Sequence, residues 1–350
     1  MKKFKIGYHV NEINYRGLFK AAIDYVRYNK SMFGHEGFVI APDNRSGREN
    51  HYLGKEMMKQ NGIDHITYPS GGGGEPTGFY PHVDRILKDR GCDLLYIVKS
   101  GGCPDDRVSK IVPTLSHGWR GTPFERKAGP CAGMSRAAAQ NGKGPLVPTI
   151  VEPNTVKEDY RSEFEIAKND VVFGNIGGSG VFHLKVCMVA IERVLKERND
   201  VWFTFMGIQP WKWGFKHPHL LWHKPTVDDH KRYKYINTCD AMIHARKQGE
   251  MGGGAVAEFS ISNKPVITAT AGKGGHRMYL REKYAKIFGI DNEQKTRVYD
   301  KQEDCYRMMT NLITRRDWFR KQDWNCYADE RYPEPAMKAF REVFLKPFGG

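Results

Sequence analysis

The stretch Gly249–Ile267, GEMGGGAVAEFSISNKPVI, decides how the second half of the chain is read. Glu250 and Glu258 flank three consecutive glycines, Gly252, Gly253 and Gly254, and an apolar run closes on Asn263-Lys264-Pro265-Val266-Ile267. TCDAMIHA before it has strand character, the glycines permit a sharp turn, and AVAEFSI starts a helix that leads to a further strand, KPVITAT. First-turn N–H groups of a helix have no internal partner, so such a start is an anion site, and glycine removes side chains that would block a phosphate. Glu258 falls about one turn into the helix, where a carboxylate can accept from ribose hydroxyls, as acidic residues do at other nucleotide sites. The same residues also describe a glycine-rich strand-to-helix turn with a surface glutamate. Both readings stand on this stretch alone.

The rest of the chain alternates in the same way. KIGYHV, GFVIAP, DHITYPS, DLLYIV and a strand ending at Ser116-His117-Gly118 alternate with helical patterns such as LFKAAIDYVRYN and PHVDRILKDRG. Apolar residues at three- and four-residue spacing mark the helices, and strands alternating with helices imply parallel sheets covered on both faces. GKGPLVPTIVEPNTVKEDY reads as a linker. After it the alternation restarts with DVVFGNIGG, a helix from about Leu184 to Arg198, and DVWFTFMG. The expected architecture is α/β, with two Rossmann-like doubly wound domains facing a central cleft: residues 1–150, residues 151–325, and a helical segment, 326–350, packing back toward the N-terminal domain. Open α/β sheets bind ligands at the carboxyl ends of their strands. Candidate residues there are His117, His244, and His276 with Arg277 in GKGGHRM. His117 suits acid–base or orienting work because histidine titrates near neutrality.

Composition bounds the partners. The 350 residues carry 55 Lys and Arg against 40 Asp and Glu, a formal net charge of +15, spread without a basic block. That balance favours an anionic partner: a nucleotide-linked substrate, a nucleic acid or an anionic membrane surface. No apolar run approaches the roughly 18–20 residues of a spanning helix, and no signal peptide is evident, so a cytoplasmic protein is expected. Seven scattered cysteines, none in C-x-x-C spacing, fit a reducing compartment and no zinc site. GGGGEPTG (71–78) lacks the lysine of a P-loop and reads as a surface loop. Asp105-Asp106 and Asp228-Asp229 read as solvated pairs, and no D-x-D pair suited to a metal diphosphate is present. The aromatic and cationic run 210–225 reads as a covered hydrophobic turn.

Glu250, Gly253 and Glu258 in an E-x7-E frame, followed by Asn263-Lys264-Pro265-Val266-Ile267, resemble the donor-site signature of retaining GT-B glycosyltransferases, E-G-F-G-x-x-x-x-E then G-x-P-V-I. The resemblance extends over most of the chain. Tyr15-Arg16-Gly17 is similar to the family's N-terminal glycine loop, Ser116-His117-Gly118 to the site of its N-domain histidine, and Val151-Glu152-Pro153-Asn154 to its linker. Phe173-Gly174-Asn175-Ile176-Gly177 looks like the strand and loop that open the donor domain. It implies a nucleotide-sugar donor held by Gly17, Gly177, Lys185, His244, Arg246, Gly253, Gly254 and Glu258, with Glu250 on the sugar hydroxyls and His117 by the reacting centre. It also implies retention, and neither metal nor cofactor beyond the donor. One departure stands out: Asn175 occupies the place of an arginine that binds the pyrophosphate, leaving Lys185, with Arg246 or Lys247, to supply the charge. The expected function is therefore a nucleotide-sugar-dependent hexosyl- or pentosyltransferase acting on a glycan, lipid or other acceptor. A DNA-modifying glycosyltransferase and a non-catalytic glycan- or nucleic-acid-binding protein on the same scaffold are the alternatives.

Overall fold

The computed structural model describes residues 2–43, 48–69, 81–99, 108–118, 129–142, 144–178, 180–212, 214–247, 249–250, 252–269, 298–299 and 301–350, with Leu280 and Ile287. The chain divides into two compact units, Met1–Ile150 with Glu330–Gly350, and Val151–Asp329.

The first unit is built on a six-stranded sheet: β1 (Lys5–His9), β2 (Glu36–Pro42), β3 (His65–Tyr68), β4 (Leu94–Lys99), β5 (Thr114–Gly118) and β6 (Cys131–Gly133). Every pairing is parallel, in the order β3-β2-β1-β4-β5-β6. Parallel strands are covered on both faces, which is why KIGYH and LLYIV carry few polar side chains. Helix α1 (Gly17–Phe33) turns Phe19, Ala22, Ile23 and Val26 inward, a stripe at helical spacing. On the sheet, α3 (Pro81–Asp89) lays Val83, Ile86 and Leu87 against Phe38, Ile40, Tyr68, Leu95 and Ile97. The chain's last residues complete this core. Phe340, the last residue of the helix Pro333–Phe340, stacks on Tyr25 with ring centroids 4.8 Å apart, and Phe344 in the turn that follows, Arg341–Leu345, meets His117 edge to face at 5.5 Å.

The second unit repeats the topology with β7 (Val171–Ile176), β8 (Val201–Met206), β9 (Leu220–His223), β10 (Ala241–His244), β11 (Val266–Ala269) and β12 (Val298–Tyr299), all parallel in the order β12-β11-β10-β7-β8-β9. Relative to its first strand this is the same winding as in the first unit. Helices α5 (Lys185–Glu197), α6 (Asp229–Thr238) and α7 (Gly254–Ile261) supply crossovers.

Several elements differ from the sequence expectation. Helices α2 (Arg48–Gln60), α4 (Arg136–Gly142) and α6 and strands β6, β9 and β12 have no counterpart in that expectation. Within the aromatic run, Leu220–His223 is an edge strand, while buried Trp211 meets Phe182, Phe205 and Trp222. Asp228 is the N-cap of α6, accepting from the Lys231 N–H at 3.1 Å, and Asp229 pairs with Arg232, so neither is a merely solvated loop residue. Asp105-Asp106, the loop 71–78, and His276 with Arg277 lie outside the described residues.

Candidate active site

In the second unit the strand order reverses direction at β7 and β10: the chain leaves β7 toward β8 and β9, then crosses back to β10 on the other side. A ligand crevice is expected outside the carboxyl ends of those two strands. Both exits carry polar groups, and the two loops are tied together.

The exit of β7 passes through Gly177 and Gly178 to the start of α5. His183 and Leu184 donate their N–H groups to the Ala245 carbonyl at 3.0 and 3.2 Å, which fastens this loop to the end of β10. The His183 ring adds a second tie: Nδ1 meets the Gly180 carbonyl at 3.0 Å and Nε2 accepts from the Lys247 N–H at 3.3 Å. Lys185 opens α5 and is exposed.

At the exit of β10, His244 is buried, with Nδ1 2.9 Å from Thr268 Oγ1 and Nε2 3.9 Å from Glu250 Oε1. Arg246 donates to the same Glu250 oxygen at 2.6 Å. Burial opposes ionisation of Glu250, but the neighbouring His244 ring and the hydrogen bond and charge of Arg246 outweigh it and hold the carboxyl below the usual glutamate range. The group is therefore an anion at neutral pH, oriented from two sides. Gly253 then takes φ 60° and ψ 48° as the N-cap of α7, a left-handed conformation that glycine adopts without a Cβ clash. No side chain caps this end and no acidic residue occupies its first turn. Gly254 is exposed and nothing lies within 4 Å of where its Cβ would be. Helix α7 packs on β10 and β11, so its start lies at the same sheet edge as Glu250.

Glu258 is placed differently from a surface carboxylate. It is buried and paired with Arg232 of α6, Nε to Oε1 at 3.2 Å, while Arg232 Nη2 also reaches Asp229 Oδ1 at 2.6 Å. Asn175 is a correction to the sequence alignment. It lies inside β7, not in the loop that follows, and its side-chain amide donates to the Ile243 carbonyl at 2.6 Å. The residue thus joins β7 to β10 and is no stand-in for a loop cation. Gly174, one residue earlier, is also in the strand: a Cβ there would lie 2.3 Å from Cys239 Sγ. Gly177 is the glycine that begins the loop.

In the first unit, Gly17 begins α1 and is exposed. His117 is corrected too. Its ring is fully buried, Nε2 donates to the Val147 carbonyl at 2.7 Å, and Nδ1 accepts from the Tyr96 hydroxyl at 2.6 Å. Desolvation, only partly offset by the Val147 bond, lowers its pKa to about 3. A neutral histidine with both ring nitrogens engaged in the core offers no atom to a substrate. Sequence reasoning passed over His9, at the carboxyl end of β1, whose Nε2 lies 2.8 Å from the Tyr68 hydroxyl. It also passed over His183, Thr268 and Arg232. A histidine just past a strand end was the available signal for the first. The others depend on partners far away in sequence.

Among the described residues no group of three or more His, Cys, Asp or Glu is placed to hold a metal ion, and no helix is long and apolar enough to cross a membrane. No known family's sequence pattern matches the chain, and no curated protein does. Solved structures do. Anabaena Alr3699/HepE in complex with UDP and glucose superposes with a TM-score of 0.68 at 13% identity, over 97% of this chain and 98% of that one. A glycosyltransferase from Rickettsia africae ESF-5 gives 0.60 at 14% identity, over 98% and 95% of the two chains. The S. aureus MnaA–UDP structure gives 0.63 at 10% identity, over 98% and 96%. At these identities the likeness is one of fold, and together with the two doubly wound sheets it makes this chain a two-domain α/β protein of the GT-B fold.

Proposed function

We propose that the chain is a glycosyltransferase that takes a sugar from a nucleoside-diphosphate donor, with the donor's diphosphate at the carboxyl ends of β7 and β10. One observation carries this reading: the exposed Lys185 at the start of α5, the Arg246–Glu250 pair and the uncapped start of α7 lie together at the carboxyl ends of β7 and β10, the topological switch point of the sheet.

The chemistry uses these groups as follows. When the bond from the anomeric carbon to the diphosphate breaks, negative charge grows on the leaving phosphate oxygens. Lys185, Arg246 and the first-turn N–H groups of α7 stabilise that charge without rearranging. The acceptor hydroxyl forms the new glycosidic bond and passes its proton to an oxygen of the departing diphosphate. Glu250, kept ionised, accepts hydrogen bonds from sugar hydroxyls, and His244 fixes its orientation. Glu258 remains the proposed ribose partner, with Arg232 setting its carboxylate. Gly177, Gly253 and Gly254 let the backbone approach the phosphates. The E-x7-E frame is the ground for proposing retention without a metal. The net charge of +15 makes an anionic acceptor, nucleic acid included, part of the same proposal. A cytoplasmic location goes with a nucleotide-sugar substrate.

UDP-sugars are the first donors to test, because HepE and MnaA were solved with UDP. The assay incubates the protein with a panel of nucleotide sugars and measures nucleoside diphosphate release. Release from at least one donor, lost in Lys185→Ala and Glu250→Gln, is expected. No release or thermal stabilisation with any donor would count against the proposal. An isomerised donor recovered without acceptor would place the chain with the 2-epimerases, whose fold it also shares.

A further inference from the structure

The amino ends of β7, β10 and β11 hold a second concentration of charge. Asp240 precedes β10, its side chain is 6% exposed, and both carboxylate oxygens are engaged. Oδ2 takes Arg161 Nη2 at 2.7 Å and the Val172 N–H at 2.9 Å. Oδ1 takes Arg320 Nη2 at 2.8 Å and lies 3.4 Å from Arg316 Nε. Three guanidiniums thus share one carboxylate. Lys264, just before β11, adds an ammonium whose hydrogen bond is a long one, 3.4 Å, to the Asn237 carbonyl. These groups line a cavity of about 440 Å³ in which five basic side chains face two carboxylates. The volume falls in the range of small-molecule sites, roughly 300–1,000 Å³.

We propose that this cavity is a second anion site, which takes the phosphate group of a small phosphorylated molecule between Lys264 and Arg320. Concentrated positive charge with too few counter-charges is costly to hold together, and an anion relieves it. Burial is the main cause that holds the Lys264 ammonium below the usual lysine range; Asp240 and Cys239 oppose it, and Arg161 and Arg320 add to it by smaller amounts. Arg161 Nη1 is held by the Ala167 and Asp170 carbonyls and Arg316 by those of Lys168 and Asn169, so the guanidinium that meets the phosphate directly is that of half-exposed Arg320, beside Lys264. The site is distinct from the candidate active site: Asp240 and His244 bracket β10, roughly 13 Å apart at strand rise. Since the two sites share β10, a ligand here is attached to the strand that carries His244.

Inorganic pyrophosphate titrated calorimetrically into the full-length protein tests this, with Lys264→Met, Arg320→Ala and Lys185→Ala measured alongside. Arg320 is half-exposed, and Asp240 keeps Arg161 and Arg316 without it, so that variant should fold even if Lys264→Met does not. The expected result is binding that weakens about tenfold in Lys264→Met and in Arg320→Ala, the loss of one charge-assisted contact, and that survives in Lys185→Ala. Unchanged affinity in both pocket variants, or complete loss in Lys185→Ala, would overturn it. So would vesicles of phosphatidic acid and phosphatidylcholine that co-sediment with the protein and need Lys264 and Arg320, while pyrophosphate binding does not.

Discussion

Acidification should unfold the first unit through His117. In the folded state the ring is neutral, sealed between Tyr96 and Val147, with a pKa of about 3 against an ordinary 6.5. The unfolded chain binds a proton below pH 6.5 that the folded chain refuses until about pH 3. Stability from this group is therefore complete above pH 6.5 and is lost as pH falls through that window. At about 1.4 kcal/mol per tenfold, the gap amounts to roughly 5 kcal/mol, a large part of the 5–15 kcal/mol typical of a folded protein. His117→Gln is the informative variant, because its amide can donate to Val147 and accept from Tyr96 without titrating. Urea unfolding from pH 7 to pH 4, followed by amide exchange in peptides from β4 and β5, separates this unit from the other. Wild type should lose stability steeply and the variant far less. Equal slopes would refute the reasoning. The same variant bears on catalysis: donor turnover at pH 7 should stay within a few-fold, whereas a general acid–base residue would cost about a hundredfold or more.

Other predictions follow from contacts in the second unit. Glu258→Gln removes the buried carboxylate from Arg232, which keeps Asp229, and should destabilise the unit by about 1–3 kcal/mol in urea unfolding. Asn175→Leu deletes the bond to Ile243 and leaves that carbonyl buried, so a loss of about 1–3 kcal/mol is expected, measured in the same way. Lys185→Ala should leave the melting temperature unchanged, since the side chain is exposed, but weaken nucleoside diphosphate binding about tenfold by calorimetry. Lys264 should make stability rise with pH as the ordinary lysine value of 10.5 is approached, because its folded form holds the proton less tightly than its unfolded form. Lys264→Met should remove that rise.

Sequence periodicity was sufficient for the two sheets because parallel strands buried on both faces leave long apolar runs, and Val171–Ile176 and Leu94–Lys99 are of that kind. It failed for β6 and β9. The first has three residues, and the second is an edge strand, LLWH, embedded among aromatic and cationic neighbours. In GNIGG two glycines look alike in sequence but have different jobs. Gly174 clears space for Cys239 within the strand, whereas Gly177 opens the loop, and choosing the first moved Asn175 into a loop it does not occupy. The placement of His117 was illegible for another reason: its partners stand 21 and 30 residues away, and nothing near a strand end distinguishes a core histidine from an exposed one. Glu258 is similar, since Arg232 reaches it from another helix. The glycine turn and the helix start in GEMGGGAVAEF were legible because they are backbone properties; the left-handed N-cap at Gly253 came only with the structure.

Hydrogen exchange with and without UDP tests the central claim most directly, because it reports where a diphosphate binds and does not depend on knowing the sugar or the acceptor. Protection should appear in peptides spanning residues 177–187 and 244–258, and should disappear in Lys185→Ala with Arg246→Ala. Protection confined to other parts of the chain, or none with any nucleoside diphosphate at millimolar concentration, would contradict it.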